Sequence, residues 1–465
     1  MPHQLLIAGQ WRDAEAGATF KVENPATGET IASVADASVA DGAAALAAAD
    51  AVQTEWAKSA PRDRGEILRR AFELITARTD ELAEQMTAEM GKPVAESRAE
   101  IAYGAEFFRW FSEEAVRISG RYSTSPNGQT RLLTLKQPVG PCLMITPWNF
   151  PMAMGTRKIG PAIAAGCTMV VKPAALTPLS MLSLGEILIE AGLPAGVLNI
   201  VATTRTAEVM EPIIGDPRLR KLTFTGSTEV GRTLIGQSAN QVLRVSMELG
   251  GNAPFLVFED ADLDEAVDGA MLAKMRNIGE ACTAANRFIV HESVASEFAE
   301  RFAAKMSQAD VSPLVEEKQR AKVAELVEDA KAAGGRVLTG GEVPAGPGYF
   351  YPPTVLVDVP KSARVWREEI FGPVAPIYTF ADDEEALRLA NDTEYGLVAY
   401  AFTSSYERAI KVYEGLDTGM VGINQGVVSN PAAPFGGMKA SGFGREGGEE
   451  GIEEYLETKY VGLAL

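Results

Sequence analysis

The stretch KLTFTGSTEVGRTLIGQSAN, residues 221–240, reads as a strand, a turn and a helix. KLTFT is apolar and β-branched, GSTEVG (226–231) follows it, and the residues after Gly226 open a helix. Free N–H groups at such a helix start attract phosphate. Gly226 and Gly231 are too far apart for G-x-G-x-x-G, so the fingerprint of the ordinary dinucleotide fold is missing. On both sides of this stretch the pattern repeats. Between 139 and 258 the apolar runs GPCLMIT, CTMVVKP, VLNIVA, KLTFTG and APFLVF alternate with amphipathic segments such as TPLSMLSLGEILIEAG. That alternation calls for an α/β chain with a mostly parallel sheet covered by helices. A second alternating stretch runs from about 263 to 425, with a loop at Gly341–Gly348.

Residues 40–118 read as helices, with Ile67, Leu68, Phe72, Leu74, Ile75 and Leu82 forming an apolar stripe. The polar segment RYSTSPNGQTRLLTLKQP (121–138) carries an Asn127-Gly128 turn and reads as a projecting hairpin. The last residues, GIEEYLETKYVGLAL, return as an edge strand.

A length of 465 residues suggests roughly three domains, and 46% hydrophobic with 23% charged residues fits a soluble globular enzyme. The formal net charge is -19, which argues against nucleic acid and anionic membrane as partners. No secretory signal and no apolar run of membrane-spanning length is visible. Three cysteines, Cys142, Cys167 and Cys282, fit a cytoplasmic protein without a disulfide framework. With only His3 and His291 as histidines, no metal site of zinc spacing is expected, and a histidine-based hydrolase would have to use one of these two.

Cys282, in NIGEACTAANR, sits among small residues that leave a thiol open to attack a substrate; Cys142 and Cys167 lie inside strand-like runs and read as core. Glu248 in SMELGGNAPF and Glu369 in EEIFGPV are hemmed by apolar residues or glycine, where a carboxyl pKa rises and the group can serve as a base.

TPWNFP (146–151), VVKP (170–173), FTGSTEVG (224–231), ELGG (248–251), GEACTAANR, EEIFGPV (368–374) and PFGGMKASGFGRE (434–446) together resemble, in order, the motifs of the aldehyde dehydrogenase superfamily, and NPATGE (24–29) fits its start. The resemblance implies that the Cys282 thiolate attacks an aldehyde, that the Asn149 amide and the Cys282 N–H hold the oxyanion, and that hydride passes to a nicotinamide. It implies that Glu248 deprotonates the water that hydrolyses the thioester. It also implies a cofactor cleft formed by Thr146, Pro147, Trp148, Lys172, Ala175, Gly226, Ser227, Gly231 and Leu249. Lys172 would meet the adenosine ribose and Glu369 the nicotinamide ribose, with Phe371 beside it. Where the family often has Gly-Gln before the cysteine, this chain has Gly279-Glu280, and Glu280 is expected to point away from the thiol.

Arg157, Arg276 and Ser429 resemble the residues that bind the distal carboxylate in the succinate-semialdehyde dehydrogenase branch, and guanidinium forks with a hydroxyl suit a carboxylate. Succinate semialdehyde is the leading substrate, glutarate semialdehyde the next, and a general aliphatic aldehyde the wider alternative. Some members of this branch carry a second cysteine two positions after the nucleophile; here that residue is Ala284, and no internal disulfide is expected. Many NAD-preferring relatives place a glutamate where Ala175 stands, so the reading leans to NADP with NAD as the alternative, Lys172 and Ser180 being offered to the 2′-phosphate. Rival readings are a nucleotide-independent cysteine hydrolase and a non-catalytic scaffold; the first leaves GSTEVG, Lys172 and Glu369 unexplained. The expected architecture has a cofactor domain at 1–118 and 139–248 and a catalytic domain at 249–435. An oligomerisation element at 119–138 and 436–465 would make a homodimer or homotetramer by extending a neighbour's sheet.

Overall fold

The computed structural model describes residues 3–464 and contains two large parallel-sheet α/β layers, the architecture the alternating runs imply. In the first sheet five strands run parallel, in the spatial order Arg244–Glu248, Lys221–Thr225, Cys142–Ile145, Met169–Lys172 and Leu198–Ile200. Their side chains are almost wholly buried because helices cover both faces. Leu5–Ile7 and Gln10–Arg12 extend this sheet antiparallel at one edge.

The second sheet has six parallel strands, ordered Thr354–Val357, Val374–Phe380, Ala285–His291, Ala253–Val257, Val398–Phe402 and Met420–Ile423, with Arg336–Thr339 antiparallel at one edge. Its core is aromatic on one face, where Phe255 stacks with Phe288 and Phe402 at 5.2 and 5.1 Å between ring centroids.

Four helices, Val39–Ala57, Pro61–Ala77, Thr79–Met90 and Val94–Glu114, fill the first part of the chain. Of the expected apolar stripe, Ile67, Leu68, Ile75 and Leu82 are buried, while Phe72 and Leu74 are partly buried against the same core.

Residues 121–138 form a hairpin of Arg121–Thr124 and Thr130–Pro138, and the tail strand Leu456–Ala464 pairs along the full length of Thr130–Pro138. The segment 436–465 does not belong wholly to this three-stranded sheet, as the sequence reading had it. Gly442–Phe443 pairs with Met247 and Glu248 and closes the free edge of the first sheet beside Glu248. An open strand edge needs a partner, and this short antiparallel piece supplies it. Among the described residues, no helix is long and apolar enough to cross a membrane.

Candidate functional site

The cleft lies where the two sheets meet end to end. The first sheet contributes residues at or just past the carboxyl ends of its strands: Thr146, Lys172, Gly226 and Glu248. Carboxyl ends of parallel strands at such a junction are where open α/β sheets bind ligands. The second sheet contributes residues that precede its strands: Gly250 before Ala253, Cys282 before Ala285, and Glu369 and Phe371 before Val374.

Cys282 stands just after a strained turn. Asn277 and Ile278 have φ of 53° and 49°, and Gly279 follows at 79°. Left-handed backbone at two consecutive non-glycine residues costs of order 1–2 kcal/mol each and must be held by neighbours. The Asn277 N–H donates to Glu96 Oε2 at 2.6 Å, and its side-chain amide donates to the carbonyls of both Asn149 and Glu280 at 2.9 Å. A side chain at Gly279 would lie 2.3 Å from the Gly372 oxygen, so only glycine fits there. The thiol of Cys282 is pushed up to about 12, chiefly by burial and further by Glu369 and Glu248, while Arg157 and Arg276 act the other way.

Asn149 lines the same cavity. Its side-chain amide donates to the Glu280 carbonyl at 2.9 Å, which leaves the second N–H of that amide for a ligand. Its main-chain oxygen is clamped by Lys92 Nζ at 2.8 Å as well as by Asn277. Lys92 is itself fixed by Glu100 at 2.5 Å, and the other oxygen of Glu100 receives the N–H groups of Met152 and Ala153. Glu280 Oε1 receives the Val315 N–H at 3.2 Å, and burial raises its pKa well above the ordinary value.

Glu248 is buried in the cleft wall, with neither carboxylate oxygen hydrogen-bonded. Burial raises its pKa well above the ordinary value, and the nearby Glu446 charge adds to this, against the pull of Arg157 and Lys158. A carboxyl group so placed is a stronger base than an ordinary carboxylate and can take a proton from a water in the cavity.

The cleft has two lobes of ≈ 850 and ≈ 1200 Å³, joined through Pro147, Trp148, Thr225, Gly226 and Ser227. The smaller holds Asn149, Glu248, Leu249, Cys282, Glu369 and Phe371. Glu369 Oε1 receives the Gly251 N–H at 3.0 Å, and burial moves its pKa to about 7. Phe371 meets Trp148 edge to face at 5.4 Å. The larger lobe holds Thr146, Lys172 and Ala174. Burial lowers the pKa of Lys172 to about 8. The helix Thr228–Ser238 starts at the shared wall with Ser227 as its N-cap.

Three expected cofactor contacts are placed elsewhere. Ala174, not Ala175, lines the larger lobe. Gly231 packs under Leu249, where a Cβ would come within 2.4 Å of the leucine, so it serves helix packing. Ser180 is buried on Glu89, which its hydroxyl and N–H both meet, and it lines neither lobe.

Arg157, Arg276 and Ser429 lie outside both lobes but near one another. Arg276 Nη1 donates to Ser429 Oγ at 3.2 Å, and its guanidinium stacks 4.9 Å from the Phe150 ring centroid. Arg157 is not a free fork. Its Nε and the ammonium of Lys158 both bind Glu446, its guanidinium lies 4.0 Å from the Phe435 ring centroid, and its Nη2 alone is buried without a partner. The pairing answers the cost of burying these charges on the helix Ala153–Ala165.

Sequence reasoning missed the frame around these groups. Lys92, Glu96, Glu100 and Asn277 give no periodic signal, since their role lies in backbone oxygens and N–H groups from other segments. Lys158 and Glu446 had a signal, adjacent cations on an apolar helix and an acid in the last motif, that only the fold pairs.

Comparison with known proteins places these features in context. The model of the Aldehyde dehydrogenase family matches residues 11–461. The succinate-semialdehyde dehydrogenase of Paenarthrobacter nicotinovorans is 57% identical over 444 residues, covering 93% of this chain and 99% of that protein. The glutarate-semialdehyde dehydrogenase of Pseudomonas putida is 49% identical over 472 residues, covering 99% and 98%. The crystal structure of an NADP dependent enzyme from E. coli superposes with a TM-score of 0.98 at 47% identity, covering 100% and 98%.

Proposed function

Because the chain belongs to the aldehyde dehydrogenase family, we propose that it oxidises succinate semialdehyde to succinate with NADP or NAD, through Cys282. The observation that carries this is the meeting, in one cavity, of a thiol, an amide donor and an unpartnered carboxyl group: Cys282, Asn149 and Glu248. The 57% identity to a succinate-semialdehyde dehydrogenase supports the substrate, and glutarate semialdehyde is the alternative that the 49% relative supports.

The two-lobed cleft fits a dinucleotide. Lys172 suits the adenosine end, the helix start at Ser227 the phosphates, and Glu369 with Phe371 the nicotinamide end. The bound nicotinamide would supply the acceptor for the aldehyde hydride. With no carboxylate at Ala174 or Ala175, neither position repels a 2′-phosphate, and the E. coli structure is named as NADP dependent.

The residues divide the remaining work. Burial pushes the Cys282 thiol up to about 12, so it rests protonated and gives its proton to solvent water as its sulfur attacks. The thiolate sulfur bonds to the aldehyde carbon, giving a thiohemiacetal oxyanion that the free Asn149 amide N–H and the Cys282 N–H hold; one such donor contributes about 3–4 kcal/mol. Loss of hydride leaves a thioester on Cys282. Glu248 then takes a proton from water, whose oxygen displaces the sulfur, releasing the acid and the free thiol. Arg276 and Ser429 take the distal carboxylate, with Arg157 contributing its unpartnered Nη2.

The test is a reduced-nicotinamide absorbance assay over a panel of semialdehydes with both cofactors. Succinate semialdehyde is expected to give the highest kcat/KM; a neutral aldehyde exceeding it would refute the substrate reading.

A homo-oligomer is part of the proposal. Cross-strand register puts Tyr122, Leu133, Leu135, Val461 and Leu463 on one face of the three-stranded sheet, with Tyr122 68% exposed and Leu135 and Leu463 each 48%. A second copy covering this face, or pairing with the sheet's outer edges, would bury it. Three free thiols suit a reducing compartment such as the cytoplasm.

A further inference from the structure

We propose that the Tyr103 hydroxyl is a further donor to the distal carboxylate of the substrate, acting beside Arg276, Ser429 and Arg157 and setting the preference for ω-carboxylate aldehydes. This rests on the substrate reading above and names a residue that the sequence did not single out.

The Tyr103 hydroxyl oxygen is buried and makes no hydrogen bond of good geometry, the Ser429 hydroxyl being close enough to act on it. Buried tyrosines ordinarily find one, and a buried hydroxyl left unpaired is costly, so an orphan of this kind marks a place that a ligand completes. The ring is held on several sides. It meets Phe107 edge to face at 5.0 Å and packs on the apolar cluster that includes Phe150, Ala281 and Ala284, the last two flanking Cys282. The helix Val94–Glu114 fixes its backbone.

What faces the hydroxyl is cationic and polar. The Arg276 guanidinium lies 5.7 Å from the Tyr103 ring centroid and carries Ser429 with it at 3.2 Å. The charges of Arg157, Arg276 and the Cys282 sulfur all reach the hydroxyl. Tyr103 therefore lies near both the reacting sulfur and the groups assigned to the substrate's far end. An anion is the ligand that two guanidinium groups, a serine and a phenol share. Burial keeps the phenol protonated, raising its pKa above the ordinary value, so it remains a donor at every working pH.

Tyr103 is then a specificity residue with no part in the bond changes at Cys282. The test is Tyr103→Phe, which keeps the ring and its packing and removes only the hydroxyl. Steady-state kinetics with succinate semialdehyde and butanal are run beside Arg276→Ala, together with calorimetric titration of the product analogue succinate. The ratio of kcat/KM for succinate semialdehyde over butanal is expected to fall roughly 10- to 100-fold in Tyr103→Phe, the size of one hydrogen bond to a charged group. The fall should be carried by KM, and succinate should bind correspondingly more weakly. If Arg276→Ala lowers that ratio and Tyr103→Phe leaves it unchanged, this inference fails while the substrate reading stands. If Arg276→Ala leaves the ratio unchanged as well, the substrate reading itself fails.

Discussion

The side-chain amide of Asn277 donates to the main-chain oxygen of Asn149 at 2.9 Å. One residue thus ties the turn that carries the nucleophile to the loop that carries the oxyanion donor. Asn277 pays for this with a left-handed backbone, φ 53°, a conformation asparagine tolerates better than most residues. Asn277→Ala should lower kcat by roughly 100-fold, the scale of a misplacement near 1 Å, with a smaller change in KM. Steady-state kinetics beside a thermal melt check this. A variant that melts lower while keeping its kcat would show that the tie serves folding alone.

Lys172 gives a pH prediction for cofactor choice. Burial depresses it to about 8, so its charge is present below that pH and lost above it. NADP affinity should weaken as pH rises through about 8, and NAD, which has no 2′-phosphate, should weaken less. Dissociation constants measured by fluorescence titration from pH 7 to 9 check it. Lys172→Met should remove the difference between the two slopes.

Glu369 supplies the opposite sign. Its folded pKa of about 7 lies above its ordinary value, so its burial lowers stability as pH rises from the ordinary carboxylate range toward 7. The charged form is the better acceptor for ribose hydroxyls. The cofactor KM should therefore fall between about pH 6 and pH 8, and Glu369→Gln should flatten that profile.

Arg276 and Arg157 should behave differently, although the sequence treats them as a pair. Arg276→Ala removes a guanidinium whose polar partner on this side is Ser429, and should raise KM for succinate semialdehyde far more than for butanal. Arg157→Ala instead leaves Glu446 buried with Lys158 alone. Breaking a buried pair in this way costs about 3–5 kcal/mol, so its first readout is a lowered melting temperature. Equal effects of Arg276→Ala on both aldehydes would remove the carboxylate assignment.

The face bearing Leu135 and Leu463 predicts assembly. Leu135→Glu with Leu463→Glu replaces the exposed leucines of this face with charge and should shift the species seen by analytical ultracentrifugation toward monomer. An unchanged mass would exclude this face as the contact.

Much of this was legible in the residues, for physical reasons. The KLTFT-to-GSTEVG change from strand to helix, repeated along the chain, requires parallel sheets because each crossover must be covered. The cleft residues Cys282, Asn149, Glu248 and Glu369 sit at strand ends or in the loops beside them, in short segments whose residue pattern is strong. Charge pairing was not legible. Nothing local reveals that Glu446 occupies Arg157, or that Glu89 occupies Ser180, because each partner lies tens to hundreds of residues away. Nor could spacing show that Gly231 is needed for Leu249 rather than for a phosphate. The tail was divided wrongly because a two-residue strand, Gly442–Phe443, is too short to leave a period.

The division of labour between Cys282 and Glu248 is tested most directly by Glu248→Gln mixed rapidly with succinate semialdehyde and NADP. Reduced nicotinamide is expected to form in a burst near one per active site and then slow by roughly 100-fold or more, with intact-mass and peptide analysis finding the acyl group on Cys282. Steady turnover at the unaltered enzyme's rate, with no burst and no adduct on Cys282, would contradict the account.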